Sequence, residues 1–442
     1  MVVFGISRRG VGQVSLLSWE RPRFAARGLL RRERAAQQIK APSVSAASAP
    51  PVALTPLKMT IVGALLIAVG PLSMSLYTPA MTLLIAALHT TEQAVRATIT
   101  VYLFGFSVAQ LICGPLSDRF GRRPILLACL SLYVIGSGAC AAAPSVSALI
   151  LGRLVQGVGA CGGVALSRVM VVDRFAGNGA ARIISLMSLI LSIAPAAAPI
   201  VGGTLITMTS WRILFVILAV YGAVSLALVW RFPETNERRD PRATKLRSLA
   251  VNYATLITSR AFIGQVVLTS LAVGGFYASQ SLSPFVLMGR LGLSSPMFGL
   301  VTATLMLSYL FGSLALNQLL KFVAIHRLVL AGALMVLVAS LSLAFCLRFI
   351  GVGVVEIIVP MCVWMVGFAF IMPGVTTSAL ALFPRNAGSA SALMGALQMG
   401  MGFVGASLCS LFADAVQAFA VVPPVMGTLA VAAYIAANRR QL

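Results

Sequence analysis

Long apolar stretches separated by short polar breaks recur along almost the whole chain. From residue 58 onward the stretches free or nearly free of charge are 60–88, 97–117, 124–143, 146–167, 183–211 and 213–230. After a wider polar gap come 261–289, 291–320, 328–347, 349–384, 386–413 and 415–438. The fourth holds only Arg153 and the tenth only Glu356. A bilayer-spanning helix needs roughly 20 apolar residues, and each stretch meets that length. In hydrocarbon only a helix or a closed barrel satisfies every backbone N–H and C=O. These runs lack the polar–apolar alternation of barrel strands. The pattern therefore predicts an all-α membrane protein with twelve transmembrane helices. The weakest boundary is Pro144-Ser145, which alone divides the third stretch from the fourth.

The breaks organise the chain. Residues 1–57 are rich in Arg and then in Ala, Ser and Pro, a composition that buries too little apolar surface to fold alone. They read as a disordered basic tail or an over-extended start, with a transit peptide as a minor alternative. The gap at 233–259 splits the spans six and six, giving bundles at 58–232 and 260–442 joined by a charged linker. Two halves of this kind suggest an internal repeat, a common transporter device. Gly114, ending the second span, matches Gly312, ending the eighth, although the second copy has lost its charges.

Composition agrees with lipid as the solvent. Only 10% of residues are charged and 59% are hydrophobic, whereas a soluble domain carries about 25% charged residues. The net charge of +23 does not imply nucleic acid. After residue 58 all Lys and Arg except Arg96, Arg153, Arg212, Arg290 and Arg348 fall in the even-numbered loops, their flanks and the tail. By the positive-inside rule those segments and both termini are cytoplasmic. The seven cysteines all lie in apolar runs without close spacing, so they read as small packing residues, with no metal site and no cofactor. There is no Gly-Lys pair for an ATP-binding loop. The two histidines, His89 and His326, sit in different loops, which leaves no constellation for an enzyme. A channel would need a pore loop or a ring of filter residues, and none is evident.

The most specific segment is Gly114-Pro115-Leu116-Ser117-Asp118-Arg119-Phe120-Gly121-Arg122-Arg123-Pro124. Gly114 allows close helix approach, Gly121 permits a tight turn, and Asp118 suits a helix N-terminus. Arg119, Arg122 and Arg123 offer partners for carboxylates and for lipid phosphates. This loop resembles the major facilitator superfamily signature G-x-L-x-D-R-x-G-R-R. The resemblance implies a major facilitator fold and a cytoplasmic latch made and broken during alternating access, with roles for Gly114, Asp118, Arg119, Gly121, Arg122 and Arg123.

Further segments extend the likeness over roughly residues 58–438. Arg153-Leu154-Val155-Gln156-Gly157-Val158-Gly159 is similar to the helix-4 signature R-x-x-Q-G-x-G. Ala194-Pro195-Ala196-Ala197-Ala198-Pro199-Ile200-Val201-Gly202-Gly203 looks like the helix-5 antiporter motif. Its leading glycines are alanines, as in the Bcr/CflA drug-export branch. In that reading Pro195, Pro199, Gly202 and Gly203 shape a gating helix. Ser210-Trp211-Arg212, Pro233-Glu234-Thr235 and Gly388-Ser389-Ala390-Ser391-Ala392-Leu393 are likewise similar to the branch, as are Tyr77 and Pro79.

The resemblance implies a bacterial inner-membrane exporter of small amphipathic drugs, monomeric, not an enzyme, and driven by proton antiport. One departure bears on the drive. The branch usually carries an aspartate two residues before Tyr77, where this chain has Ser75. Coupling candidates are accordingly Arg153, Glu356, Asp173 and Ser75. Arg153 lies about 10 Å into its span at 1.5 Å per residue, and a charge there usually faces a cavity or a partner. Candidate cavity residues are Tyr77, Tyr102, Phe106, Tyr277, Gln280 and Gln398. Two other readings remain open: an exporter of an endogenous metabolite with weak or no proton coupling, and a membrane sensor or scaffold that transports nothing.

Overall fold

A computed structural model describes residues 55–175, 177–237, 239–241, 243–383 and 387–438. The expected tail at 1–54 lies outside the described residues. The spans are α1 (Pro56–Ser75, continued through Thr78–Ala80 and Met81–Ala87), α2 (Glu92–Phe120), α3 (Arg122–Ala141) and α4 (Val146–Arg174). They continue as α5 (Gly177–Met208), α6 (Arg212–Trp230), α7 (Arg260–Pro284), α8 (Ser295–Leu319), α9 (Ile325–Phe345), α10 (Val354–Ala381), α11 (Ala387–Cys409) and α12 (Ala415–Asn438). Among the described residues all 12 are long and apolar enough to cross a membrane.

Short polar side chains start these helices. Thr55 accepts from the Lys58 amide, Thr91 from Ala94, Ser145 from Ala148 and Ser259 from Phe262, at 3.3–3.4 Å. Each satisfies one of the orphan N–H groups of a helix start. The boundary that rests on Pro144-Ser145 alone is therefore a cap, and α3 and α4 are separate helices. The linker, expected as a polar gap, contains a helix at Leu246–Thr258. That short helix is tied to α2 by the Tyr253 hydroxyl, which donates to the Leu111 carbonyl at 2.8 Å.

The first six spans pack mainly among themselves, through α3–α4, α2–α4, α3–α6 and α1–α5. The last six do the same through α7–α11, α7–α12, α9–α10 and α8–α10. Two seams join these six-helix bundles, α2 on α11 and α5 on α8. Outward faces carry large apolar side chains such as Leu151, Phe311 and Val338. Lipid tolerates these surfaces, but it gives no hydrophobic force between helices, so the bundle depends on close packing.

Small residues supply that packing where α4 meets its neighbours. A Cβ on Gly157 would fall 2.2 Å from the Tyr102 carbonyl oxygen of α2, and one on Gly159 would fall 2.3 Å from the Tyr133 amide of α3. Adding a methyl in such a place strains a packed interior by about 1–3 kcal/mol. Gly157→Ala is thus expected to push α2 off α4 and lower the unfolding temperature of the detergent-solubilised protein, while Gly138→Ala, where a Cβ meets nothing within 4 Å, leaves it unchanged.

Candidate functional site

The signature loop forms a compact polar knot at one face of the bundle, the latch face. Arg122 stands at its centre. Its Nη1 donates to the Asp118 carboxylate and to Ser117 Oγ at 2.7 Å, and its Nε donates to Asp173 Oδ2 at 3.1 Å. One guanidinium thus ties the end of α2 to the end of α4 through two carboxylates, with charge-assisted bonds. Asp118 does not take the helix N-terminus expected for it. It lies in the last turn of α2, where the dipole disfavours a negative charge, and Arg122 four residues on supplies the compensation.

The N-terminus of α3 is instead taken by Glu234, from the linker segment. Its carboxylate accepts from the amides of Arg122 at 2.9 Å and Arg123 at 3.2 Å, and from its own neighbours Thr235 and Asn236 at 2.9 Å. Gly121 makes this possible twice over. Its φ of +108° suits glycine, and a Cβ there would sit 2.4 Å from a Glu234 oxygen. Asn236 Nδ2 reaches the carbonyls of Ser117 and Asp118 at 3.3 and 3.2 Å. Arg174 pairs with Glu237 at 2.6 Å. The sequence reading missed Glu234, Asn236 and Arg174 as members of this knot. The one available signal was the Pro233-Glu234-Thr235 run.

Among the described residues the other latch arginines have partners other than carboxylates. Arg119 donates to Thr244 Oγ1 at 2.5 Å and lies over the Phe120 ring, and Arg123 donates to the Trp230 carbonyl. A Cβ on Gly114 would lie an ordinary 3.7 Å from Ala392 of α11, so the position leaves room for a methyl rather than marking a tight crossing.

A second cluster lies inside the first half. Arg153 is fully buried, with its guanidinium 4.8 Å from the Tyr77 ring and 4.3 Å from the Tyr102 ring. Aromatic faces attract a cation, most strongly when both are desolvated. Nη1 donates to the Ser73 carbonyl at 3.3 Å and to Gln156 Oε1 at 2.6 Å. Gln156 in turn donates to Ser137 Oγ at 2.8 Å, and the Tyr77 hydroxyl meets Thr98 Oγ1 at 2.8 Å. The helix-4 signature is legible in these terms. Arg153 and Gln156 build the network, and Gly157 lets the Tyr102 backbone close over it.

The face opposite the latch is closed between the halves. Gly203 of α5 lies under the Ser295 carbonyl of α8, and Gly299 of α8 under the Pro199 carbonyl of α5, leaving 2.2 and 2.3 Å to a would-be Cβ. Gly202 packs equally closely on Leu76. Arg96, only 1% exposed, donates from Nη1 to the Cys409 carbonyl of α11 at 3.2 Å and stands 3.6 Å from Glu92. Arg96 was read from sequence only as a far-side charge. The Glu92–Arg96 spacing of four residues was the signal for more.

The four coupling candidates fall in separate places. Asp173 belongs to the latch, Glu356 to the first turn of α10 with its carboxylate folded over Gly353, and Ser75 to the buried wall of α1. Arg153 forms no ion pair among the described residues. The cavity candidates do not form one group either. Tyr77, Tyr102 and Phe106 surround the Arg153 cluster. Gln280 lines a cleft in the second half with Phe276, Thr302 and Met361. Gln398 is tied inside that half to Thr269 Oγ1 at 3.3 Å, and Tyr277 packs on Gly402. The cysteines depart from the sequence reading as well. The thiols of Cys113, Cys129 and Cys161 converge from α2, α3 and α4 to within 4.8 Å of one another, a proximity their spacing along the chain does not show.

A family model described as the Major Facilitator Superfamily matches residues 63–406. The uncharacterized MFS-type transporter YdgK of Bacillus subtilis (strain 168) is 28% identical, over 82% of this chain and 91% of that protein. Multidrug resistance protein D of Escherichia coli (strain K12) is 29% identical, over 76% of this chain and 84% of its own length. Among solved structures, the partially occluded inward open conformation of the E. coli xylose transporter XylE superposes with a TM-score of 0.66 at 16% identity, covering 85% of this chain and 96% of that one. That likeness concerns the fold alone.

Removing the Glu234 carboxylate exposes the start of α3. Glu234→Ala is expected to cost about 0.5–2 kcal/mol, as for the loss of a helix cap. The check is thermal unfolding of the purified protein, with Glu237→Ala, whose exposed partner pair is worth little, as the neutral comparison.

Proposed function

The chain belongs to the Major Facilitator Superfamily, and from that premise we propose that it exports small amphipathic molecules by alternating access. The observation that carries this reading is the pairing of a closed far face, sealed backbone to backbone through Gly203 and Gly299, with a polar latch at the opposite face. Two faces built differently, one dry and one ionic, are what a carrier needs in order to open to one side at a time. The relatives named for multidrug, bicyclomycin and chloramphenicol resistance support drugs as cargo.

In this proposal the bundles at 58–232 and 260–442 rock about the buried route, and the linker follows the latch. The protein works as a monomer in a bacterial inner membrane, with the latch face, the linker and both termini cytoplasmic. Asp118, Arg122 and Asp173 form the latch, with Glu234 as the anchor of α3. Arg153, enclosed behind Tyr77, Tyr102 and Phe106, braces the wall of the first half beside the route.

Proton antiport would need a carboxylate that exchanges its proton as the route opens. Among the described residues the span acids are Glu92, Asp118, Asp173 and Glu356, all near helix ends, and two of them are bound to Arg122. This placement favours a second reading of the drive, in which coupling to protons is weak or absent.

Efflux from a drug-hypersensitive host expressing the protein tests the reading. Wild type is expected to lower the accumulation of at least one compound in a broad amphipathic drug panel. Arg153→Gln is expected to reduce that efflux about tenfold or more at equal membrane abundance, because a single span charge of this kind is rarely dispensable. Unchanged efflux in Arg153→Gln would remove Arg153 from the route, and no efflux of any compound by wild type would refute the exporter.

A further inference from the structure

We propose that the three thiols converging from α2, α3 and α4 form a binding site for a trivalent, thiophilic centre, arsenic(III). The sulfurs of Cys113, Cys129 and Cys161 all lie within 4.8 Å of one another, and all three are free thiols. Cys113 is 3% exposed and Cys161 1%, while Cys129 is only partly buried. Two other buried thiols turn to backbone carbonyls, Cys140 to Leu149 at 3.9 Å and Cys409 to Gly405 at 3.2 Å. The converging three face one another instead. Gly162 makes their approach possible. A Cβ there would fall 2.5 Å from the Cys129 Cβ and 2.7 Å from its sulfur, so glycine lets Cys129 lie directly against α4 beside Cys161. Cys113 stands seven residues before Phe120 and Cys129 seven after Arg122, about 10 Å below the latch at 1.5 Å per residue.

The number and charge of the ligands select the occupant. Thiolate sulfur is a soft donor and suits soft acceptors. A structural zinc takes four ligands, and among the described residues no histidine, carboxylate or fourth thiol joins this group. Charge narrows the choice further. A divalent ion on three thiolates leaves one negative charge inside the bundle, and a monovalent ion leaves two. Lipid supplies no counter-ion, and Arg122, the buried cation at this end of the bundle, is already matched by Asp118 and Asp173. An unpaired buried charge is costly. A trivalent centre on three thiolates is neutral.

The exchange that forms it is neutral as well. Arsenous acid gives up its three hydroxyls, each As–O bond is replaced by an As–S bond, and each thiol proton leaves with a hydroxyl as water. Nothing is oxidised or reduced, and no net proton is released. With bonds about as long as Zn–S, ~2.3 Å, and angles near 100°, the sulfurs of such a pyramid stand roughly 3.5 Å apart. Closing to that spacing from at most 4.8 Å moves each sulfur by less than about 1 Å. The partly buried Cys129 offers a small neutral solute its way in. The bound centre ties α2, α3 and α4 together within the first half, so the site is separate from whatever the protein carries.

Titration of the reduced, full-length protein in detergent with sodium arsenite tests this. The expected result is one arsenic per chain, an X-ray absorption spectrum with three sulfur neighbours and no oxygen, and a raised unfolding temperature. Cys129→Ser and Cys161→Ala should each weaken binding at least 100-fold, whereas Cys346→Ser, outside the cluster, should leave it unchanged. Unfolding each variant without arsenite separates loss of the ligand from loss of the fold, and the wild-type spectrum needs no variant. No bound arsenic, fewer than three sulfurs around it, or undiminished binding in folded Cys129→Ser overturns the proposal. Tighter binding of zinc or cadmium than of arsenite overturns it too, by assigning the cluster to a divalent ion. Each of these results leaves the exporter reading standing.

Discussion

A charge placed inside a bilayer must be answered from within the protein, because lipid offers neither water nor counter-ion. The structure answers its span charges in three ways. Arg122 is matched by two carboxylates at the latch face. Arg96 is matched by a carbonyl of the other half and, more loosely, by Glu92. Arg153 receives only neutral groups and the faces of two tyrosines. Each solution lies in a different part of the molecule: between helix ends at the latch face, across the seam at the far face, and inside the first half.

Packing gives these charges their positions. Lipid does not press helices together, so their separation depends on what lies between them. Gly157 and Gly159 let the backbones of α2 and α3 come against α4, and Tyr102 is brought over Arg153 by that approach. Gly203 and Gly299 play the reciprocal part at the α5–α8 seam, where each lies under a carbonyl of the opposite half. A seal made from backbone contacts is dry and separable. It holds the far face shut without an ion pair that would have to be desolvated again in each cycle.

The latch shows how the linker takes part. Glu234 lies beyond α6, yet it caps α3, and Asn236 and Thr244 bind the end of α2. These bonds tie the latch end of the first half to the segment leading to the second. The short helix at Leu246–Thr258, held to α2 by Tyr253, extends this connection.

The sequence by itself determined the solvent, the class of fold and the number and approximate limits of the spans, because those follow from local apolar length and charge. It also marked the signature loop, Arg153 with Gln156, and the Pro195–Gly203 run, whose residue types are unusual for a span. Only the tertiary structure decided the partners. Asp118 was expected at a helix start and lies at a helix end. Asp173, weighed as a coupling acid, also pairs with Arg122. Glu234 and Arg96 gained their places, and the three converging thiols their proximity, from segments far apart in the chain. The physical reason is that hydropathy is a property of one segment, whereas the answer to a buried charge is a property of whichever helix packs beside it.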